Sequence, residues 1–130
     1  MVQKSIYKRS GIFSSFICAI RGLGFAIYSQ RNMVVHIVAA VIFILLGLLF
    51  KIAQYEWLAL IISIFFVLAA ESFNTSIEVS IDLVTRKTKF RAMLAKDVAA
   101  GAVLLSAINA IIVGYLIFFN RLTNLIIGGL

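Results

Sequence analysis

Residues 69 to 82, AAESFNTSIEVSID, hold three of the chain's five acidic residues, and a run from Trp57 to Ala70 carries no charge at all. At 100° per residue Glu71, Asn74, Glu78 and Asp82 fall within an arc of roughly 80°, so a helix through this stretch presents them as one stripe. The next segment, TRKTKFRAMLAK, is basic, with Arg86, Lys87, Lys89, Arg91 and Lys96. Carboxylates and a carboxamide beside such a segment are the groups that hold a divalent cation and a polyphosphate. Mg²⁺ takes one or two carboxylates plus phosphate oxygens, and Lys or Arg neutralises the charge that remains. Phosphoryl transfer is the chemistry this set can do.

Depth separates the roles. With a rise of ~1.5 Å per residue from Trp57, Glu71 lies ~21 Å along the helix, inside a hydrocarbon core ~30 Å thick, while Glu78 and Asp82 reach its boundary. An ionised Glu71 against lipid is costly, so it faces a partner, water or a reactant. In the functional reading Glu71 is the base that takes a proton from a hydroxyl nucleophile, and the shallower carboxylates serve the cation. Lys96 and Asp97 begin the next span at the same level, the Lys suited to a phosphate and the Asp to a metal or to orienting the Lys. The competing reading is structural, with the stripe pairing to Arg or Lys of a neighbouring helix. No GxxxxGK[ST] loop and no Gly-rich kinase loop occurs, which excludes a soluble nucleotide-binding fold.

The elements that must position these residues follow from composition. Of 130 residues 63% are hydrophobic, 13% are charged and none is proline, which marks an all-α integral membrane protein of one domain spanning 1–130. Residues 5–29 alternate basic and polar positions (Lys8, Arg9, Ser14, Ser15, Arg21) with apolar ones, as in an amphipathic interfacial helix. Three transmembrane helices are expected over about 33–50, 57–84 and 98–119, with Tyr55 and Trp57 as interfacial anchors. Along the third, Ala102, Ser106, Ala110 and Gly114 recur every fourth position and read as a helix-packing ridge. The last residues, NRLTNLIIGGL, are too short to span and carry no usable signature.

Lys4, Lys8, Arg9, Arg21 and Arg31 precede the first span and five basic residues lie between the second and third, against Lys51 and Arg121 on the other side. The bias predicts a multi-pass protein of the inner or plasma membrane with its N-terminus cytoplasmic and its C-terminus extracytoplasmic. The start does not read as a cleaved signal peptide, so the N-terminus is expected to be retained. A net charge of +7 beside apolar spans suits anionic lipid and phosphate rather than nucleic acid. Cys18, the single cysteine, reads as a packing residue.

ESFNTSIEVSIDLV followed by AKDVAAGAVLLSAINAIIVG resembles the small prokaryotic diacylglycerol kinase family, which includes the undecaprenol kinases. The family pattern is ExxN[ST][AS]IExxxD, a short loop, then KDxx[AG]xAV, and the likeness extends over about residues 10 to 119. The resemblance implies a homotrimer of three-span chains with a surface helix, using Mg-ATP to phosphorylate a lipid alcohol at the cytoplasmic boundary. Carried over, it makes Glu71 the base, Asn74 a nucleotide-contacting amide, Glu78 the metal-binding carboxylate, Asp82 a supporting acid, and Lys96 and Asp97 the phosphate-binding pair. The surface helix of the family ends in a stretch like ERNx[KR]IH, where this chain reads QRNMVVH. Gln30 therefore stands where a metal- and nucleotide-site Glu is expected, and Val34 where a basic residue is usual. An amide brings Mg²⁺ a weaker, uncharged oxygen, which implies reduced activity. His36 matches the final His of that stretch and reads as a structural hydrogen-bonding residue.

Three functions are compatible with these residues: a lipid kinase, with undecaprenol favoured over diacylglycerol by the wording of KDVAAGAVL and QRNMVVH; a catalytically weakened relative that binds lipid or serves assembly; and a transporter or proton-pathway subunit. The third requires ionisable residues spread through the spans, whereas here they lie toward one membrane face.

Overall fold

The computed structural model describes residues 11–85 and 89–127. Residues 5–10 of the expected surface helix, and Arg86 and Lys87 of the basic loop, lie outside the described residues. Among the described residues there are four helices: α1 (Ile12–Ser29), α2 (Arg31–Leu49), α3 (Gln54–Val84) and α4 (Phe90–Ile127). All four are long and apolar enough to cross a membrane. Their outward faces carry large apolar side chains such as Phe16, Ile42, Phe66 and Leu105. Water would penalise that exposure over so wide a surface, whereas lipid does not.

Helices α3 and α4 run antiparallel and form the body of the molecule. Polar pairs tie them at three depths. Arg121 clamps Glu56 with two hydrogen bonds of 2.9 and 2.8 Å at one end. Asn109 donates to Ser63 Oγ at 3.2 Å in the middle, and Lys96 meets Asp82 at 2.7 Å at the other end. Near the first end α2 closes on the pair around Ile52, Leu60, Ile117 and Phe118, with Phe43, Leu46 and Trp57 packed against them. The rings of Phe43 and Phe50 stand 5.7 and 6.3 Å from that of Phe118. In lipid, where apolar burial gains little over the surrounding chains, close packing of this kind is the main cohesive term. Gly47 permits it, since a Cβ there would sit 2.8 Å from Trp57 Cη2.

The helix ends have local causes. α2 stops in a Schellman arrangement, with Lys51 N–H donating to Leu48 O and Ile52 N–H to Gly47 O, while Lys51 takes the left-handed φ of 47° that this motif needs. Ala53 caps the start of α3, its backbone N–H donating to the Glu56 carboxylate at 2.7 Å. Glu56 thereby occupies an otherwise unpaired helix-start donor and still reaches Arg121. Between α1 and α2 the break is one extended residue, Gln30, with φ −116° and ψ 117°.

Two expectations change. The fourth-residue ridge on α4 is not one face: Ser106 and Gly114 are buried, Ala110 is half-buried and Ala102 is exposed. Steps of four residues advance 40° each on a helix, so the row winds off the contact, and the buried set is instead Ala99, Val103, Ser106, Gly114, Ile117 and Phe118. Residues 120–127 also have a role, because α4 continues through them and carries Arg121 to Glu56. Cys18 is a free, half-buried thiol.

Candidate active site

The buried positions of α3 run Leu60, Ser63, Val67, Glu71, Asn74 and Thr75, a stripe at helical spacing that turns from apolar to polar toward the α4 start. Glu71 is fully buried, at 0% exposure. Neither of its carboxylate oxygens has a hydrogen-bond partner among the described residues, and the same is true of Asn74 Oδ1. Such groups are costly to leave unmade, so their presence in the packed interior points to a reactant or ligand that completes them. Thr75 does not do so, since its hydroxyl donates to the Glu71 backbone carbonyl at 2.8 Å.

Glu71 and Asn74 open on a cavity of about 290 Å³ between α2, α3 and α4, which Asn32 and His36 line from α2 and Ala100 and Ala107 from α4. His36 shares this cavity with Glu71, and Glu78 lies seven residues further along α3. One turn beyond Asn74, Glu78 is half-buried and accepts two amide N–H groups. Asn74 Nδ2 approaches Oε1 at 3.3 Å, and Gln30 Nε2 approaches Oε2 at 2.9 Å. The break between α1 and α2 is what brings Gln30 there, because its extended backbone directs the side chain across to α3.

The stripe then divides. Asp82 is not turned inward with the other three; its side chain is 61% exposed and pairs with Lys96, itself 34% exposed. Lys96 and Asp97 do not act as one unit either. Successive helical residues point 100° apart, and Asp97 is exposed with no hydrogen bond or ion pair among the described residues. α4 begins at Phe90, so Lys96 sits well inside the helix, on the side that faces α3.

Glu78 meets amide N–H groups on both sides, and its carboxylate together with the amide oxygens of Asn74 and Gln30, once turned toward an ion, are hard oxygen donors of the kind Mg²⁺ takes. The residues present therefore fit that cation. The departure at position 30 has a visible consequence: a carboxylate there would face Glu78 with like charge, whereas the Gln30 amide satisfies Glu78 directly.

A buried unpaired carboxylate and a carboxylate held by two amides thus share one face of α3, and at its exposed end Asp82, rather than Asp97, pairs with Lys96 of α4. The model of the family described as prokaryotic diacylglycerol kinase matches residues 17–118. The chain belongs to that family. Among curated relatives it is 37% identical over 110 residues to the undecaprenol kinase of Bacillus subtilis, covering 85% of this chain and 89% of the relative. It is 34% identical over 114 residues to the diacylglycerol kinase of Synechocystis, covering 87% of this chain and 65% of that protein.

Within this kinase-family chain, sequence reasoning missed the residues that close the site rather than those that act in it. Asn32, Ala100 and Ala107 line the cavity from helices other than α3, and no spacing on α3 points to them. Ser63 and Asn109 were legible as polar residues within apolar runs, but their pairing over 46 residues was not. Glu56 and Arg121 stand 65 positions apart and are joined only by the fold.

Proposed function

We propose that this chain transfers the γ-phosphoryl group of ATP to a membrane lipid alcohol at the cytoplasmic interface, with undecaprenol as the favoured acceptor. The observation that carries the reading is the fully buried, unpartnered Glu71 carboxylate on the same α3 face as Asn74 and Glu78. Family membership and the names of both relatives support a lipid kinase. Undecaprenol is favoured because the relative of that name is matched over nearly its whole length.

Each residue has a task. Glu71 takes the proton of the acceptor hydroxyl, and with no partner to release it is ready to accept one. Asn74 offers its free Oδ1 to the nucleotide and holds Glu78 through Nδ2. Glu78, with Gln30 beside it, is the residue for Mg²⁺, and Asn74 keeps it in place. Lys96 exchanges Asp82 for phosphate oxygens, a change made easier by the exposure of that pair, which leaves little net attraction to overcome. Asp97, exposed and pointing about 100° away from Lys96, meets the nucleotide or its cation independently of that Lys. When bound, Mg²⁺ supplies charge neutralisation on the polyphosphate.

The remaining parts of the reading are a homotrimer, a single domain over 1–130 with spans near 33–50, 57–84 and 98–119, and α1 lying along the membrane surface. The N-terminus and residues 85 to 96 are cytoplasmic and the C-terminus extracytoplasmic. In a Cys18-free background, an engineered cysteine at Lys89 should resist an impermeant thiol reagent added to intact cells, and labelling there would reverse the orientation. The function is tested with purified protein, γ-labelled ATP, Mg²⁺ and either undecaprenol or diacylglycerol in bilayers. Labelled undecaprenyl phosphate is expected. Label on neither lipid would remove the kinase reading and favour the weakened family member, for which the Gln30–Glu78 hydrogen bond is the supporting observation.

A further inference from the structure

Phosphorylating a hydroxyl releases a proton, and the group placed to receive it, Glu71, is fully buried. A base that cannot pass its proton on works once. We propose that His36 is the relay that carries this proton from Glu71 to water, an inference that rests on the kinase reading above. Two titratable side chains face the cavity among the described residues, Glu71 from α3 and His36 from α2. The α4 wall contributes Ala100, Val103, Leu104 and Ala107, none of which can hold a proton. Glu78 lies two turns along the α3 stripe with both oxygens engaged by amides. His36 is half-buried, whereas Glu71 is fully buried, so of the two His36 is the group with a surface through which a proton can leave.

The chemistry balances. The acceptor hydroxyl oxygen forms its bond to the γ-phosphorus as the bond from that phosphorus to the β–γ bridging oxygen breaks, with the electron pair leaving on ADP. The hydroxyl proton goes to the Glu71 carboxylate, then to a ring nitrogen of neutral His36, and from the imidazolium to water. Imidazole suits the step because it gains and loses a proton near neutral pH and has two nitrogens on opposite sides of one ring. His36 touches neither phosphate nor lipid in this scheme; it acts through Glu71 and is a positioning residue.

The test uses the full chain in bilayers with Mg-ATP and undecaprenol. His36→Gln keeps hydrogen-bonding capacity and loses the relay, so kcat should fall by about tenfold or more while the KM for ATP stays within about twofold, a modest share of what proton transfer contributes to catalysis. His36→Ala should be slow and should regain rate when imidazole is added to the medium. Wild-type turnover in His36→Gln overturns the relay, as does a folded, slow His36→Ala that imidazole leaves unchanged. An unsubstituted chain that phosphorylates neither undecaprenol nor diacylglycerol overturns the kinase reading itself and the relay with it.

Discussion

Gln30 donates a hydrogen bond from Nε2 to Oε2 of Glu78 at 2.9 Å, joining the break between α1 and α2 to the middle of the polar stripe on α3. The bond binds a neutral amide to a carboxylate that the proposed chemistry assigns to a cation. Any cation at Glu78 competes with it.

Replacing that amide by a carboxylate should reverse the competition. In Gln30→Glu two like charges face each other and are relieved by a divalent cation, which gains a second anionic ligand. A net gain of ~1.4 kcal/mol corresponds to about tenfold tighter binding. The Mg²⁺ concentration for half-maximal activity should fall by about that factor in a magnesium titration. A curve that coincides with that of the unsubstituted chain would place Gln30 outside the metal site.

Glu71 and Glu78 lie seven residues apart on one face and should fail differently. Glu71→Gln removes the proton acceptor, so turnover should drop by at least about a hundredfold with nucleotide affinity little changed. Glu78→Gln should raise the KM for Mg-ATP instead. Equal losses of nucleotide affinity in the two variants would show that the roles are not divided in this way.

The ion pair between Glu56 and Arg121 joins the start of α3 to the end of α4, and the Glu56 side chain is only 13% exposed. Arg121→Gln leaves that carboxylate short of two hydrogen bonds and should destabilise the protein by about 1–3 kcal/mol. Thermal unfolding in detergent should show the loss. A Glu56→Gln/Arg121→Gln double variant should lose less than the two single losses added together, because neither variant then leaves a lone charge. Strict additivity would mean the pair contributes nothing.

Close approach at Gly47 and open space at Gly101 make a matched pair. A Cβ at Gly47 would lie 2.8 Å from Trp57 Cη2 and 3.2 Å from Ile52 Cδ1, while at Gly101 it meets nothing within 4 Å. Gly47→Ala should cost about 1–3 kcal/mol through overpacking. Gly101→Ala should be neutral or stabilise by up to ~1 kcal/mol through helix propensity. Unfolding midpoints compare the two directly, and a harmless Gly47→Ala would contradict the packing of Trp57 on α2.

Much of the site was present in one helix before any fold was known. Helical periodicity alone puts Glu71, Asn74 and Glu78 on a common face, and the apolar run before them sets their depth, since both depend on local geometry that the backbone imposes. Apolar content likewise required membrane-capable helices, because no water-soluble core absorbs that many large side chains. What periodicity cannot contain is the choice made by a neighbouring helix. Asp82 shares the arc of the stripe yet turns to Lys96 at an exposed end, whereas Glu71 is sealed beneath α2 and α4, because packing between helices rather than position along one of them decides which residues meet water. The contacts Gln30 to Glu78, Ser63 to Asn109 and Glu56 to Arg121 join residues 46 to 65 positions apart, and they exist only once the helices have docked.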